Sequence, residues 1–165
     1  ITQIDAIPHI KYLRIHTRFP IVIPSRITQQ LTSILSQSRL FVAMVLHINH
    51  ENEIDTNLER GLKELVEGGV RLYNQSVLLK GINDSVDAQI NLAHRSYQAS
   101  IQPYYLHLLD KVAGASHFDV PQEKAVQLMH ELIAELPGFM VPKLVREIPG
   151  HSSKTPIDLK FDEIS

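Results

Sequence analysis

The feature that most constrains the fold is a repeat of apolar runs. Five β-branched or aromatic segments, 13–18, 41–49, 71–79, 101–110 and 139–148, read as strands, and amphipathic stretches fill the gaps between them. Their starts lie 28, 30, 30 and 38 residues apart. A strand followed by a helix every ~30 residues is the period of a βα unit in a parallel sheet, since eight such units make a (β/α)₈ barrel of about 250 residues. Right-handed crossovers then bring all strand C-termini to one face. The expected fold is α/β, a partial TIM-type (β/α) barrel of about five parallel strands with intervening helices, although an open doubly wound sheet satisfies the same pattern. Five units do not close an eight-stranded barrel, so the first and last strands are expected to have bare edges.

The helical stretches carry their own punctuation. The first, 27–35, follows Pro24 and Ser25 and sets Ile27, Leu31, Ile34 and Leu35 on one face. The second, 53–67, spaces Ile54, Leu58, Leu62, Leu65 and Val66 helically and stops at Gly68 and Gly69. The third begins after Gly81-Ile82-Asn83-Asp84. The fourth begins after Asp119, with Pro121 in its first turn and Leu128, Leu132 and Leu136 inward, and Pro137 and Gly138 end it. Residues 1–10 read as a helix end running into a loop, which makes a piece of a longer chain the expectation.

Composition narrows the function classes. With 165 residues, 44% of them hydrophobic, the chain can build one domain with a core. A formal charge of -2 with no basic stripe gives no reason to expect a nucleic-acid partner. No apolar run approaches the ~18 residues of a membrane span, and the first residues lack a signal-peptide pattern, so no membrane contact and a cytoplasmic location are expected. Cysteine is absent, which excludes disulfides, thiolate zinc sites and cysteine-ligated clusters within these residues.

Buried parallel strands should read as continuous apolar runs, yet each of these ends in polar groups: His16 and Arg18, His47 and Asn49, Asn74 and Gln75, His107 and Asp110, Arg146 and Glu147. Any one pair can simply cap a strand, but five together point to a site at the strand ends. Asp110 and Glu147 end neighbouring strands, so their carboxylates can converge on one cation such as a ligand ammonium. The plainer alternative pairs them with Lys111, Lys143 or Arg146. Lys154 follows Gly150-His151-Ser152-Ser153, a small polar loop able to carry an amine over the strand ends, before Thr155-Pro156 turns the chain. There it could form an imine with an aldehyde cofactor, which needs a partly desolvated site; a lone surface lysine is the commoner explanation. His47 and His50, even with His117 and His151, make a weak metal pattern without cysteine, and no glycine-rich phosphate fingerprint is present.

Several long motifs resemble one family. Asn74-Gln75-Ser76-Val77-Leu78-Leu79-Lys80-Gly81-Ile82-Asn83-Asp84 and Pro103-Tyr104-Tyr105-Leu106-His107-Leu108-Leu109-Asp110 are similar to the lysine 2,3-aminomutase family of radical S-adenosylmethionine enzymes. Leu109-Asp110-Lys111-Val112, His117-Phe118, Val141-Pro142-Lys143-Leu144-Val145-Arg146-Glu147 and Ser153-Lys154-Thr155-Pro156 most resemble its EpmB-type branch, which makes β-lysine for elongation factor P. Arg14-Ile15-His16 and His47-Ile48-Asn49-His50 extend the likeness over nearly the whole chain.

The resemblance implies the C-terminal portion of a larger barrel, with residues 149–165 as a cofactor-lysine loop and tail. It implies an isomerase that converts L-α-lysine to β-lysine by a radical 1,2-amino shift, using pyridoxal phosphate, S-adenosylmethionine and a 4Fe-4S cluster. Lys154 would bind pyridoxal phosphate and act in catalysis. Asp110 would hold the substrate side-chain ammonium. Glu147 falls where other members carry an aspartate and His107 where they carry a tyrosine, and both would line the substrate. Gln75 and His47 would face the adenosylmethionine and cofactor side, and Arg18 is assigned to the same side from its place at a strand end. The family's cluster motif, CxxxCxxC, is expected roughly 60–100 residues before Ile1, at about 30 residues per missing unit. These residues alone would then be inactive, and a homo-oligomer is compatible with the bare edges. Two other readings stay open: a non-radical module that binds pyridoxal phosphate, and a non-catalytic remnant or partner subunit.

Overall fold

A computed structural model describes residues 1–110 and 114–161. Lys111 and Val112 of the family-like motif, the Lys111 pairing alternative and the last four residues of the 149–165 tail lie outside the described residues.

Five strands run parallel in sequence order: β1 (Tyr12–Thr17), β2 (Phe41–Leu46), β3 (Arg71–Val77), β4 (Ile101–His107) and β5 (Lys143–Arg146). A two-residue strand, β6 (Thr155–Pro156), adds to β5 antiparallel, with Val145 opposite Pro156 and Arg146 opposite Thr155. The short helices α1 (Thr2–Asp5) and α2 (Phe19–Val22) flank β1. The longer α3 (Gln29–Ser36), α4 (Thr56–Glu67), α5 (Val86–Gln98) and α6 (Gln122–Glu135) connect successive strands. The architecture is a six-stranded mixed α/β sheet.

Three expectations are corrected. The segment 139–148 is not one long strand: Gly138–Met140 forms a 3-10 turn, and Pro142, with no N–H to give to a ladder, delays β5 until Lys143. Thr155-Pro156 does not merely turn the chain, because β6 covers part of the edge of β5 that was expected to be bare. The first long helix begins at Gln29, where the Thr28 hydroxyl accepts the Leu31 N–H as its cap, while Pro24–Arg26 forms a separate 3-10 turn.

Side-chain alternation divides the sheet into two faces. Val42, Met44 and Leu46 of β2, Leu72 of β3 and Ile101 of β4 pack with Leu58, Leu62 and Leu65 of α4 in one cluster. Leu106, Leu108 and Leu144 pack with Leu128, Met129 and Leu132 of α6 in another. Fully burying each such leucine is worth about 1.5–3 kcal/mol, so the helices are held firmly to this face. Asp55 caps α4 by accepting the Leu58 N–H, and Gly69, at φ 87, supplies the left-handed residue that ends it.

The opposite face carries Arg14 and His16 of β1, Phe41 and Val45 of β2, Tyr73 and Gln75 of β3, Tyr105 of β4 and Lys143 of β5. It is concave. A flat sheet would separate β1 from β6 by about 24 Å at ~4.8 Å per strand, yet Arg14 and Lys154 line a single cavity. At β4 the register slips: Asn74 pairs with Pro103 but Gln75 with Tyr105, leaving Tyr104 as the extra residue of a bulge. The bulge turns both tyrosines to the concave side, their ring centroids 3.9 Å apart.

Candidate active site at the strand ends

The loops beyond β2 and β3 are fixed by a side-chain network. Asn74, buried, accepts the Ile48 N–H at 2.9 Å and donates to the Ile48 carbonyl at 3.0 Å. The Asn49 carboxamide oxygen accepts the Val77 N–H at 2.9 Å. Asn83, fully buried, donates to the carbonyls of Asn49 and Val77 and accepts the Leu79 N–H. Glu53 accepts from the backbone N–H groups of Asn49 and His50, while His50 caps the Glu51–Glu53 turn by accepting the Asn52 N–H. Thus Asn49 and Asn74 hold strand ends together, the plainer of their two readings, and His50 is engaged as a cap. Among the described residues no three potential metal-binding side chains cluster.

On this frame sits the Lys154 amine. Its Nζ donates to Glu147 Oε1 at 2.5 Å and lies 5.7 Å from the centroid of the Tyr105 ring, with the lysine side chain 23% exposed. The loop after β5 reverses through Gly150, at φ 86, and β6 then pins Thr155 against Arg146, which sets Lys154 over the concave face. A cavity of about 400 Å³ is lined by Arg14, Tyr105, Glu147, His151, Ser152, Ser153 and Lys154. Hydrogen bonding to Lys154 holds the Glu147 carboxyl below its ordinary range. Of the described alternatives, neither Lys143 nor Arg146 forms the pair seen at Glu147; its partner is Lys154.

His107 is buried, and its Nε2 has no hydrogen-bond partner. Burial first, and the Lys154 charge second, push its proton affinity down to about 4 against the opposing pull of Glu147 and Asp110. His16 and His47 are also lowered, both chiefly by burial, with Arg14 acting next on His16 and Arg18 on His47. All three imidazoles are therefore neutral at pH 7. Gln75 approaches His47, Nε2 to Nε2, at 3.2 Å, which fits the amide donating to an unprotonated ring nitrogen. The Gln75 Oε1 is left buried and unpartnered.

Asp110 is exposed just beyond β4 and shares with Arg146, Glu147 and His151 a second cavity of about 860 Å³. Among the described residues it makes no ion pair. Arg18 lies beyond β1, not within it, and its guanidinium donates to Glu53 at 2.8 Å. Thus Lys154, Glu147, His107 and, through a shared field, His47 come together. Asp110 borders the group, Gln75 joins through His47, and Arg18 is tied into the loop frame. Arg14 and Tyr105 also line the cavity beside Lys154, and Lys143 stands on the same face as the register partner of Tyr105. The alternation along β1 and β5 signals the concave positions of Arg14 and Lys143, whereas the bulge that turns Tyr104 and Tyr105 to one side leaves no mark in the sequence.

No family model matches this chain. It is 51% identical over 161 residues to the L-lysine 2,3-aminomutase of Escherichia coli strain K12, covering 98% of this chain and 47% of that protein. The L-lysine 2,3-aminomutase of Haemophilus influenzae is 48% identical over 94% of the chain, and that of Clostridium subterminale 36% identical over 95%. A crystal structure of a radical SAM methyltransferase from Sphaerobacter thermophilus superposes with a TM-score of 0.58 over 81% of this chain and 40% of that one, at 15% identity, which is a likeness of fold. The chain spans about half the length of the curated relatives it matches. Its resemblance to the lysine 2,3-aminomutase family therefore extends through nearly all of its own sequence.

Proposed function

We propose that these residues form the lysine- and cofactor-holding part of a lysine 2,3-aminomutase, within a partial TIM-type barrel. The supporting observation is the Lys154 amine, held at the C-terminal strand ends beside Glu147 in a cavity that also reaches Tyr105 and Arg14. A barrel enzyme places its chemistry at this face.

The site fits pyridoxal phosphate in three respects: a partly buried amine, a cavity beside it, and buried polar atoms, His107 Nε2 and Gln75 Oε1, lacking partners. When bound, pyridoxal phosphate supplies a carbonyl for amine attachment and a conjugated ring that spreads an unpaired electron. Lys154 is the attachment point. Glu147 Oε1, which accepts the hydrogen bond from its Nζ, holds the amine in place. Asp110 and Glu147 bind the ammonium at the far end of L-lysine. Neutral His107 offers a hydrogen bond without adding charge. Gln75, His47 and Arg18 face S-adenosylmethionine. The cysteine-free sequence supplies no thiolate for a 4Fe-4S cluster, so no step is assigned to these residues through it.

The product in this reading is β-lysine, and the likeness to the EpmB-type branch supports its use in modifying elongation factor P in the cytoplasm, by an enzyme that can assemble as a homo-oligomer. Among the described residues no helix is long and apolar enough to cross a membrane. The test supplies labelled L-lysine, S-adenosylmethionine, pyridoxal phosphate and reductant to the intact polypeptide that carries this chain. Labelled β-lysine should form, and Asp110→Asn should weaken lysine binding roughly tenfold or more, about 1.4 kcal/mol per decade. Absence of β-lysine from an enzyme with its cofactors loaded would refute the reading.

A further inference from the structure

The concave face holds more positive charge than it pairs. Arg14 enters from β1 and Lys143 from β5, at opposite sides of the five parallel strands. Both bear on the same phenol: the Tyr105 hydroxyl first, then burial, push the Tyr104 proton affinity up, while the charges of Arg14 and Lys143 pull it down. Lys143 is the register partner of Tyr105. Neither cation takes part in an ion pair among the described residues, where the one carboxylate found beside Lys154 is already committed to that amine. Arg14 also lines the cavity that contains Lys154.

A concave surface with two exposed, unpaired cations and two half-buried phenols is complementary to an oxyanion. Guanidinium forks bind carboxylate and phosphate in the same bidentate way, and phenol O–H groups add neutral donors. We propose that Arg14 and Lys143, with the Tyr104 and Tyr105 hydroxyls, form an anion subsite on the wall facing Lys154, which takes the phosphate or carboxylate of the ligand whose other end reaches the amine. This rests on the proposed role of Lys154 and adds to it a second point of attachment, which fixes the ligand's orientation. The bulge at Tyr104 is part of the device, because a regular β4 would point only one of the two tyrosines at the ligand.

The test measures equilibrium binding by calorimetry, which needs no bond to Lys154, on the intact protein. Two matched pairs separate the anion's source: pyridoxal phosphate against pyridoxal, and L-lysine against 1,5-diaminopentane, which lacks the carboxylate. The unsubstituted protein should prefer the member that bears the phosphate or carboxylate in at least one pair by roughly tenfold or more. Arg14→Gln combined with Lys143→Gln should erase that preference while leaving affinity for pyridoxal, which lacks the phosphate, unchanged, and Arg14→Lys should retain part of it. A preference that persists in the double variant, or no preference in either pair, overturns the subsite. Loss of pyridoxal phosphate attachment in an otherwise anion-selective protein would instead refute the role of Lys154 alone, and unchanged affinity for pyridoxal shows that the variants are folded.

Discussion

His107 should make the protein's stability depend on acid in a defined window. Its imidazole has a proton affinity of about 4 in the folded chain against an ordinary 6.5, because burial and the Lys154 charge oppose protonation. Between those values the unfolded chain binds a proton that the folded chain refuses, so stability falls as the pH drops through about 6.5 towards 4. The gap between about 4 and the ordinary 6.5, at about 1.4 kcal/mol per pH unit, is worth about 3.5 kcal/mol when complete and about 3 kcal/mol by pH 4, where the folded imidazole is itself half protonated. Other groups titrate in the same range, so the quantity to measure is the difference between the unsubstituted protein and His107→Gln, which cannot titrate. Urea unfolding at pH 7 and at pH 4 should show the unsubstituted protein losing about 3 kcal/mol relative to the variant. A difference that stays constant across that range would mean that His107 is not held in its neutral form by its surroundings. Adding Lys154→Met should shrink the loss, since the largest charge behind the depression is removed.

Two further substitutions test the frame. Asn74→Ala leaves both the N–H and the carbonyl of Ile48 without their partner in a buried position, and should cost about 2–4 kcal/mol in urea unfolding while speeding hydrogen exchange at Ile48. Arg39→Ala removes bonds to the carbonyls of Asp5, Ile7 and Ile10, and should cost about 1–2 kcal/mol after allowance for their exposure, with proteolysis of the first ten residues accelerated.

The apolar repeat was legible because burial against helices selects it. Val42, Met44 and Leu46 alternate with residues of the other face, and α4 repeats Leu58, Leu62 and Leu65 because both elements press on one core. The strand ends were harder. Residues 47–49 and 108–110 continue in an extended-looking pattern, yet β2 stops at Leu46, where the Asn74 side chain takes over the backbone partners of Ile48, and β4 stops at His107, just before Leu108 gives a last N–H to the Val145 carbonyl. Phe139, Met140 and Val141 have strand-like chemistry, but Phe139 is 56% exposed and Pro142 follows, so tertiary context prevails over propensity. Polar residues clustered at the strand ends pointed to one end of the sheet as the candidate site without distinguishing their tasks. His107 and Glu147 turn to the concave face, whereas Asn49 and Asn74 serve the backbone. The Lys154–Glu147 contact depends on the reversal through Gly150 and the pairing of β6, a three-dimensional arrangement that residue spacing does not encode.

The most direct test of the account is reductive trapping. The intact protein is incubated with pyridoxal phosphate, reduced with borohydride and digested, and the pyridoxyl-bearing peptide is identified by mass. The account predicts one modified residue, Lys154, with the label lost in Lys154→Ala. Label on Lys143 or another lysine instead, or no label from a protein that binds the cofactor, would contradict it.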